Sequence, residues 1–200
     1  MKSFTHFAIL LLFGASCLAE ELTVRNNCPG TLYVKNEGTN SGSFTLGSGQ
    51  SRAISINRGR SARVWAHAGC NGASNCDTTE GYVSLAEMFW DNNGMTWYDV
   101  SQVDGYTLPI RMEPYNPAAG GNCQTTSCNF NIDANCPNGN KVGNKGRTVG
   151  CRNPNRDSGN TDYARAIKRS CPGVYSWSQD DRDGMRACQP GNNGLRIIFC

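Results

Sequence analysis

Carboxylates and aromatic rings fall close together in one stretch of the sequence, residues 84–114. Three of the carboxylates are Glu87, Asp99 and Asp104. Carboxylates accept hydrogen bonds from hydroxyl groups, and aromatic rings stack on the apolar faces of sugars. The stretch therefore indicates a sugar-binding surface, although ordinary half-buried strands can have the same composition. The rings are Phe89, Trp90, Trp97, Tyr98 and Tyr106.

Short strands are expected to position these side chains. Apolar and polar residues alternate in many short segments separated by Gly, Asn and Pro, a pattern that predicts a β-sandwich. One further short strand is expected within residues 123–132. The predicted strands cover residues 22–24, 31–35, 51–56, 62–66, 84–88, 98–101, 107–112 and 195–199.

One helix and one long loop complete the prediction. Residues 161–169 form the helix, with Thr161 or Asp162 as its N-cap and Lys168 and Arg169 at its C-terminal end. Residues 137–159 are rich in Gly, Asn, Lys and Arg and are predicted to be a loop. The basic residues of this loop, Arg156 among them, are interpreted as keeping it solvated.

The amino terminus has the pattern of a secretory signal peptide. Lys2 is followed by the apolar run 7–13, and Ala19 provides a small residue for cleavage. We expect residues 1–19 to be removed, leaving one domain at residues 20–200 that is secreted. The apolar run is too short to span a bilayer.

Charge and cysteines narrow the choice of function. The formal net charge of +3 is too small to indicate a nucleic-acid partner. Of the eleven cysteines, Cys17 lies in the predicted leader, and the even remainder indicates a disulfide framework. A zinc site at 123–128 or 70–76 is the alternative, but neither pair has a second ligand pair at metal spacing. The sequence therefore predicts no metal, and spacing alone does not fix the disulfide pairing.

Several segments resemble thaumatin-like proteins, in order and along the whole mature chain. They are ARVWAHAGC at 62–70, SLAEMF at 84–89, WYDVSQVDGYTLPIRMEP at 97–114, DYARAIKRSCPGVYSW at 162–177 and LRIIFC at 195–200. The resemblance implies a mainly β fold, an antiparallel β-sandwich with a short helix and five disulfides. It is closest to the small, ten-cysteine type, because the second cystine-rich domain is much reduced.

The resemblance also implies the disulfide pairs and an acidic cleft. Asp181 is a second candidate for the last position of the cleft. His67, where relatives often have an arginine, is interpreted as a surface or half-buried strand residue. The alternative for Arg63 is a structural ion pair with Asp99 or Asp104. The implied pairs are Cys28–Cys200, Cys70–Cys76, Cys123–Cys188, Cys128–Cys171 and Cys136–Cys151. The implied cleft residues are Arg63, Glu87, Asp99, Asp104 and Asp180.

The function implied by the resemblance is pathogenesis-related defence: an antifungal protein that binds β-1,3-glucan of fungal cell walls. One alternative is a weak endo-β-1,3-glucanase with Glu87 as general acid and Asp104 as nucleophile or base. A second is an inhibitor of a microbial hydrolase such as a xylanase. Binding is favoured over hydrolysis because a reduced second domain leaves a shallower, wetter cleft. No cofactor and no stable membrane insertion are expected, and the protein is expected to be a monomer.

Overall fold

The computed structural model describes residues 20–70, 73–78, 81–115, 122–191 and 194–200. The predicted signal peptide lies outside the described residues. Within them the chain forms fourteen strands, three short α-helices and a 3-10 turn at Asn138–Asn140. The strands are β1 (Glu20–Asn26), β2 (Leu32–Glu37), β3 (Phe44–Leu46), β4 (Ser51–Ile56), β5 (Arg60–Ala68), β6 (Leu85–Trp90), β7 (Thr96–Ser101), β8 (Gly105–Tyr106), β9 (Ile110–Pro114), β10 (Thr126–Cys128), β11 (Lys141–Asn144), β12 (Arg147–Arg152), β13 (Arg186–Cys188) and β14 (Gly194–Phe199). The helices are α1 (Ile132–Asn135), α2 (Asp162–Ser170) and α3 (Asp181–Gly184).

Three sheets make up the fold. One has five strands in the order β10-β9-β14-β1-β4, and a second has six in the order β13-β7-β6-β5-β2-β3. These two form the predicted sandwich. The third sheet has only three strands, in the order β11-β12-β8. The mainly β fold predicted from the sequence is therefore confirmed.

The core is supplied by alternate residues of the two larger sheets. On β1, Leu22 and Val24 are fully buried, whereas Arg25 is exposed. On β6, Ala86 and Met88 belong to the same buried cluster. This period of two assigns one face of each sheet to the core and leaves the other face available for polar side chains.

One strand pair departs from the antiparallel prediction. β1 pairs with β14 in parallel, with Leu22 opposite Leu195 and Val24 opposite Ile197. A parallel pair needs a long crossover connection, and here almost the entire chain provides it. The sheet order could not be read from local sequence, because these two strands are nearly the full sequence apart.

The predicted loop at residues 137–159 was wrong over part of its length. β11 and β12 form an antiparallel hairpin there. Lys145 and Gly146 at its turn both have positive φ values, 49° and 75°, which suits a tight two-residue turn between twisted strands. β12 also pairs with β8. Polar composition hid this hairpin, because its strands have little apolar alternation.

The predicted helix is confirmed at Asp162–Ser170. The side chain of Thr161 accepts a hydrogen bond from the backbone N–H of Ala164 and so caps the N-terminus. Tyr163 and Ile167 lie on the buried face, and Lys168 and Arg169 lie in the last turn. Among the described residues, none of the helices is long and apolar enough to cross a membrane.

Five disulfides tie the strands together, in the pairs that the resemblance implied. The bridge between Cys28 and Cys200 joins the chain just beyond β1 and β14, across 172 residues of sequence. The shortest joins Cys70 and Cys76, six residues apart. The others are Cys123–Cys188, Cys128–Cys171 and Cys136–Cys151.

Candidate functional site

A row of charged and acidic residues crosses four neighbouring strands of the six-stranded sheet. Glu37 on β2 is paired with Arg63 on β5, and Arg63 is paired with Glu87 on β6. Glu87 is paired in turn with Asp99 on β7. Directly opposed residues in antiparallel strands have their Cβ atoms about 4.5–5.5 Å apart. Strand pairing alone therefore brings three of the expected cleft residues together on the outer face of the sheet.

An aromatic pair lies beside this row. Phe89 is paired with Trp97, two residues along each strand from the Glu87 and Asp99 pair. Because side chains two residues apart on a strand point to the same side, both pairs lie on the same face. The Trp97 side chain is 38% exposed. Rings and carboxyl groups thus lie next to each other, as the sequence of this stretch suggested.

A second layer turns this face into a cleft of about 330 Å³. One wall is the sheet face, and the other is formed by Asp104, Arg156 and Tyr175. Nothing in the local sequence around Arg156 indicated this position, because it lies in the segment predicted to be a solvated loop. The cleft is lined on the sheet side by Arg63, Glu87, Phe89, Trp97 and Asp99.

Asn153 fixes the second wall. Its side-chain amide donates to the carbonyl of Val103 at 2.7 Å and to that of Ser176 at 3.3 Å. Its backbone N–H donates to the carbonyl of Asp104 at 3.2 Å. Asn153 is buried, so these bonds join the chain at Asp104, the end of β12 and the chain after Tyr175 in one rigid arrangement. We call the three-stranded sheet together with residues 153–158 the cover.

The surroundings of Asp99 favour the neutral form of its carboxyl group. Asp99 is only 8% exposed, and its Oδ1 has no hydrogen-bond partner among the described residues. Burial raises its pKa well above the ordinary value, and the nearby carboxyls of Glu87 and Asp181 raise it further. A neutral acid has one O–H donor and retains acceptor capacity. Asp99 can therefore both donate to and accept from a ligand hydroxyl.

The pKa of Glu87 is also raised, although several neighbouring groups act to lower it. Burial raises it most, and the charge of Asp104 adds to this. A hydrogen bond with Ser101 and the positive charges of Arg63 and Arg156 act in the opposite direction. A carboxyl group with a raised pKa is what a general acid needs, although it is equally suited to hydrogen bonding with hydroxyls.

The positive and negative groups that line the cleft are more evenly matched than in the acidic cleft that was predicted. Arg63 forms an ion pair with Glu37 at 2.7 Å, whereas Asp99 or Asp104 was the partner considered from the sequence. Arg156 lies 3.6 Å from Asp104. Two guanidinium groups therefore face three carboxyl groups, and burial raises the pKa of one of them, that of Asp99. Such a lining suits an uncharged ligand with many hydroxyl groups better than a strongly charged one.

Asp180 lies apart from the lining of the cleft. Its Oδ2 accepts from the backbone N–H of Ser176 at 3.0 Å and forms an ion pair with Lys168 at 2.9 Å. Asp181 is closer to the cleft, because its Oδ1 accepts a hydrogen bond of 2.6 Å from the hydroxyl of Tyr175. Burial and this acid raise the pKa of Tyr175. Of the two candidates, Asp181 has the contact with the cleft.

His67 is more deeply buried than the sequence indicated. It is 3% exposed, and its Nδ1 lies 2.8 Å from the hydroxyl of Thr78. The interpretation as a surface or half-buried histidine was therefore wrong, because Thr78 packs against the ring. The described residues that line the cleft do not include His67.

Comparisons with known proteins agree with this architecture. A profile of the Thaumatin family matches residues 26–163. Pathogenesis-related protein 5 of Arabidopsis thaliana is 31% identical, over 97% of this chain and 95% of the relative. Thaumatin-like protein 1 of Pyrus pyrifolia is 28% identical, over 93% of each chain. The solved structure of a thaumatin-like xylanase inhibitor covers 90% of this chain and 98% of its own, with a TM-score of 0.50 and 16% identity. This structural likeness concerns the fold alone.

Proposed function

Since this chain belongs to the thaumatin family, we propose that it is a secreted antifungal defence protein that binds β-1,3-glucan in the cleft. The observation that carries the proposal is the Phe89 and Trp97 pair beside the Glu87 and Asp99 pair on one face. Stacking surface and hydroxyl-binding groups are thereby adjacent, as a pyranose chain requires. Five disulfides are typical of exported proteins, which supports secretion.

Each polar group of the cleft has a defined part in this proposal. Glu87 and Asp104 accept hydrogen bonds from sugar hydroxyls, and Arg63 and Arg156 donate them. Asp99, whose raised pKa favours the protonated form, can do both. Because a glucan carries no charge, its binding does not require the displacement of the ion pairs that Arg63 and Arg156 already make. The cleft volume of about 330 Å³ is at the small end of ligand pockets, which favours a short segment of the polymer.

The stacking part of the proposal is tested with Trp97→Ala. Laminarin binding is measured by affinity electrophoresis, and the affinity is expected to fall about tenfold because a large exposed ring is lost. Tyr115→Ala is the matched control, since Tyr115 lies on the opposite sheet, and it is expected to leave laminarin binding unchanged. Equal losses in both variants would contradict stacking in the cleft.

The polar part is tested by replacing the three acids together, with Glu87→Gln, Asp99→Asn and Asp104→Asn. The amides keep the shape of the side chains, so the fold should persist and can be checked by circular dichroism. Laminarin affinity is expected to fall, because an amide accepts a weaker hydrogen bond than an ionised carboxylate. Full binding by this variant would remove the cleft as the glucan site.

The same preparations separate binding from the two alternatives. Release of reducing ends from laminarin, abolished by Glu87→Gln, would identify a slow endo-β-1,3-glucanase with Glu87 as acid and Asp104 as nucleophile or base. Inhibition of a microbial xylanase in a direct kinetic assay, without glucan binding, would favour the hydrolase inhibitor. We expect glucan binding without sugar release.

A further inference from the structure

The outer face of the five-stranded sheet carries a second, separate polar surface. Arg25 on β1, Arg111 on β9 and Arg196 on β14 line a broad, open groove of about 990 Å³. Their neighbours along each strand point into the core, so alternation places the three guanidinium groups on the same side. We call this surface the arginine face. It is on the other sheet of the sandwich from the cleft.

Glu113 organises two of these arginines. One of its oxygens lies 3.0 Å from the Nε of Arg111, and the other lies 3.3 Å from an Nη of Arg196. The guanidinium of Arg196 also lies over the ring of Tyr115, 4.8 Å from its centroid. A guanidinium has five N–H donors in a plane, and a single contact with Glu113 leaves others for a ligand. The arginines are thus oriented in advance.

Spacing and charge describe the ligand. Arg111 and Arg25 both face Ile198 on the strand between them, which puts them two strand spacings, roughly 10 Å, apart. Among the residues that line the groove, three guanidinium groups face one carboxylate, that of Glu113. Guanidinium pairs well with planar carboxylate groups, often through two parallel hydrogen bonds. A flat surface with repeated cations fits an extended polymer with repeated carboxylates.

We propose that the arginine face binds an acidic polysaccharide built from uronic acid units. Its carboxylates pair with Arg25, Arg111 and Arg196, and its sugar rings lie against Tyr115. Polysaccharide is favoured over nucleic acid because the disulfides indicate an extracellular setting and the net charge of +3 is small. The two surfaces together would let one molecule contact a neutral and an acidic polymer.

The test uses polygalacturonate as the probe, with binding measured by calorimetry on the whole mature protein. Wild type is expected to bind, and to lose most of its affinity when the ionic strength rises from about 0.05 M to about 0.5 M, since exposed charges are screened. Arg25→Gln, Arg111→Gln and Arg196→Gln together are expected to weaken binding by about tenfold or more. The same variant is expected to bind laminarin as wild type does. A failure of the arginine-face proposal can therefore be distinguished from a failure of the glucan-binding proposal.

The matched control removes equal charge elsewhere, with Arg60→Gln, Arg169→Gln and Arg182→Gln, all exposed and outside the groove. It is expected to bind polygalacturonate within twofold of wild type, roughly the effect of a change in net charge alone. Equal weakening in both triple variants would overturn the proposal, as would salt-independent binding. Tighter binding of a polynucleotide or of anionic lipid vesicles would also overturn it. If the first triple variant does not fold, Arg111→Gln alone and the salt titration of wild type decide.

Discussion

The two outer faces of the sandwich are built by the same alternation but lie in different environments. On the six-stranded sheet, a second wall that includes Asp104, Arg156 and Tyr175 faces the row that contains Glu87 and Asp99. On the five-stranded sheet, the arginine face lies open, and its charges form ion pairs of 3.0 and 3.3 Å around Glu113. Burial raises the pKa of the two cleft acids, whereas the open face keeps its ionic groups in contact with water. The pKa and hydration of polar side chains on a strand therefore depend on whether another layer covers the strand, and not on the strand sequence.

The largest effect is expected when the cover is released. Cys136→Ser with Cys151→Ser removes the bridge that fixes the β11 and β12 hairpin, and the chain-entropy argument for a loop of this size gives a loss of about 3 kcal/mol. Laminarin affinity should fall, whereas polygalacturonate affinity should persist. Denaturant unfolding and the two binding assays measure this.

The control for that variant is Cys70→Ser with Cys76→Ser. This bridge spans only six residues of sequence, so its removal should cost less stability. Parallel loss of both binding activities in the first variant would show that the cover and the arginine face are not independent.

The next effect concerns Asp99 and pH. Its pKa is raised in the folded protein, so the folded state keeps a proton that the unfolded state releases above about pH 4. Wild type therefore loses stability as the pH rises from about 4 toward the folded pKa, by about 1.4 kcal/mol for each unit between the two pKa values. The amide in Asp99→Asn has no such proton to lose. The variant should therefore become more stable relative to wild type as the pH rises through that range.

Urea unfolding of both proteins at several pH values from about 4 to 8 measures the difference. A stability difference that stays constant with pH would contradict a neutral, buried Asp99. Asp99→Asn should also retain laminarin binding, because the amide still donates and accepts hydrogen bonds.

The smallest effect is expected on the open face. Glu113→Gln removes the charge of two exposed ion pairs and should change stability by less than about 1 kcal/mol. The amide oxygen still orients an arginine, and the repulsion of a bound carboxylate is gone. Polygalacturonate binding should therefore strengthen by about two- to threefold, as measured by calorimetry, and a clear weakening would contradict the proposed role of the face.

The elements that were predictable from the sequence are those with local signals. The strand predicted at 195–199 lies within Gly194–Phe199, and the helix predicted at 161–169 is Asp162–Ser170. Apolar alternation in the first case and an N-cap with a buried stripe in the second specify these elements without help from the rest of the chain.

The site required information that is not local. The row from Glu37 to Asp99 depends on the register of three strand pairs, and Glu37 carries no distinguishing sequence signal. Arg156 reaches Asp104 only because Asn153 binds the cover to the loop after β7. The cleft acids and Arg63 came from family resemblance, whereas Arg156 and the burial that raises the pKa of Asp99 came from the structure.

The parallel pairing of β1 with β14 has a consequence for folding. β14 lies between β1 and β9, and β1 also pairs with β4, so without Gly194–Phe199 the five-stranded sheet would divide into the pairs β10-β9 and β1-β4. The sheet becomes continuous only when segments far apart in the sequence meet, and such non-local pairing is slow to form. We expect the docking of β14 to limit the rate at which this sheet refolds.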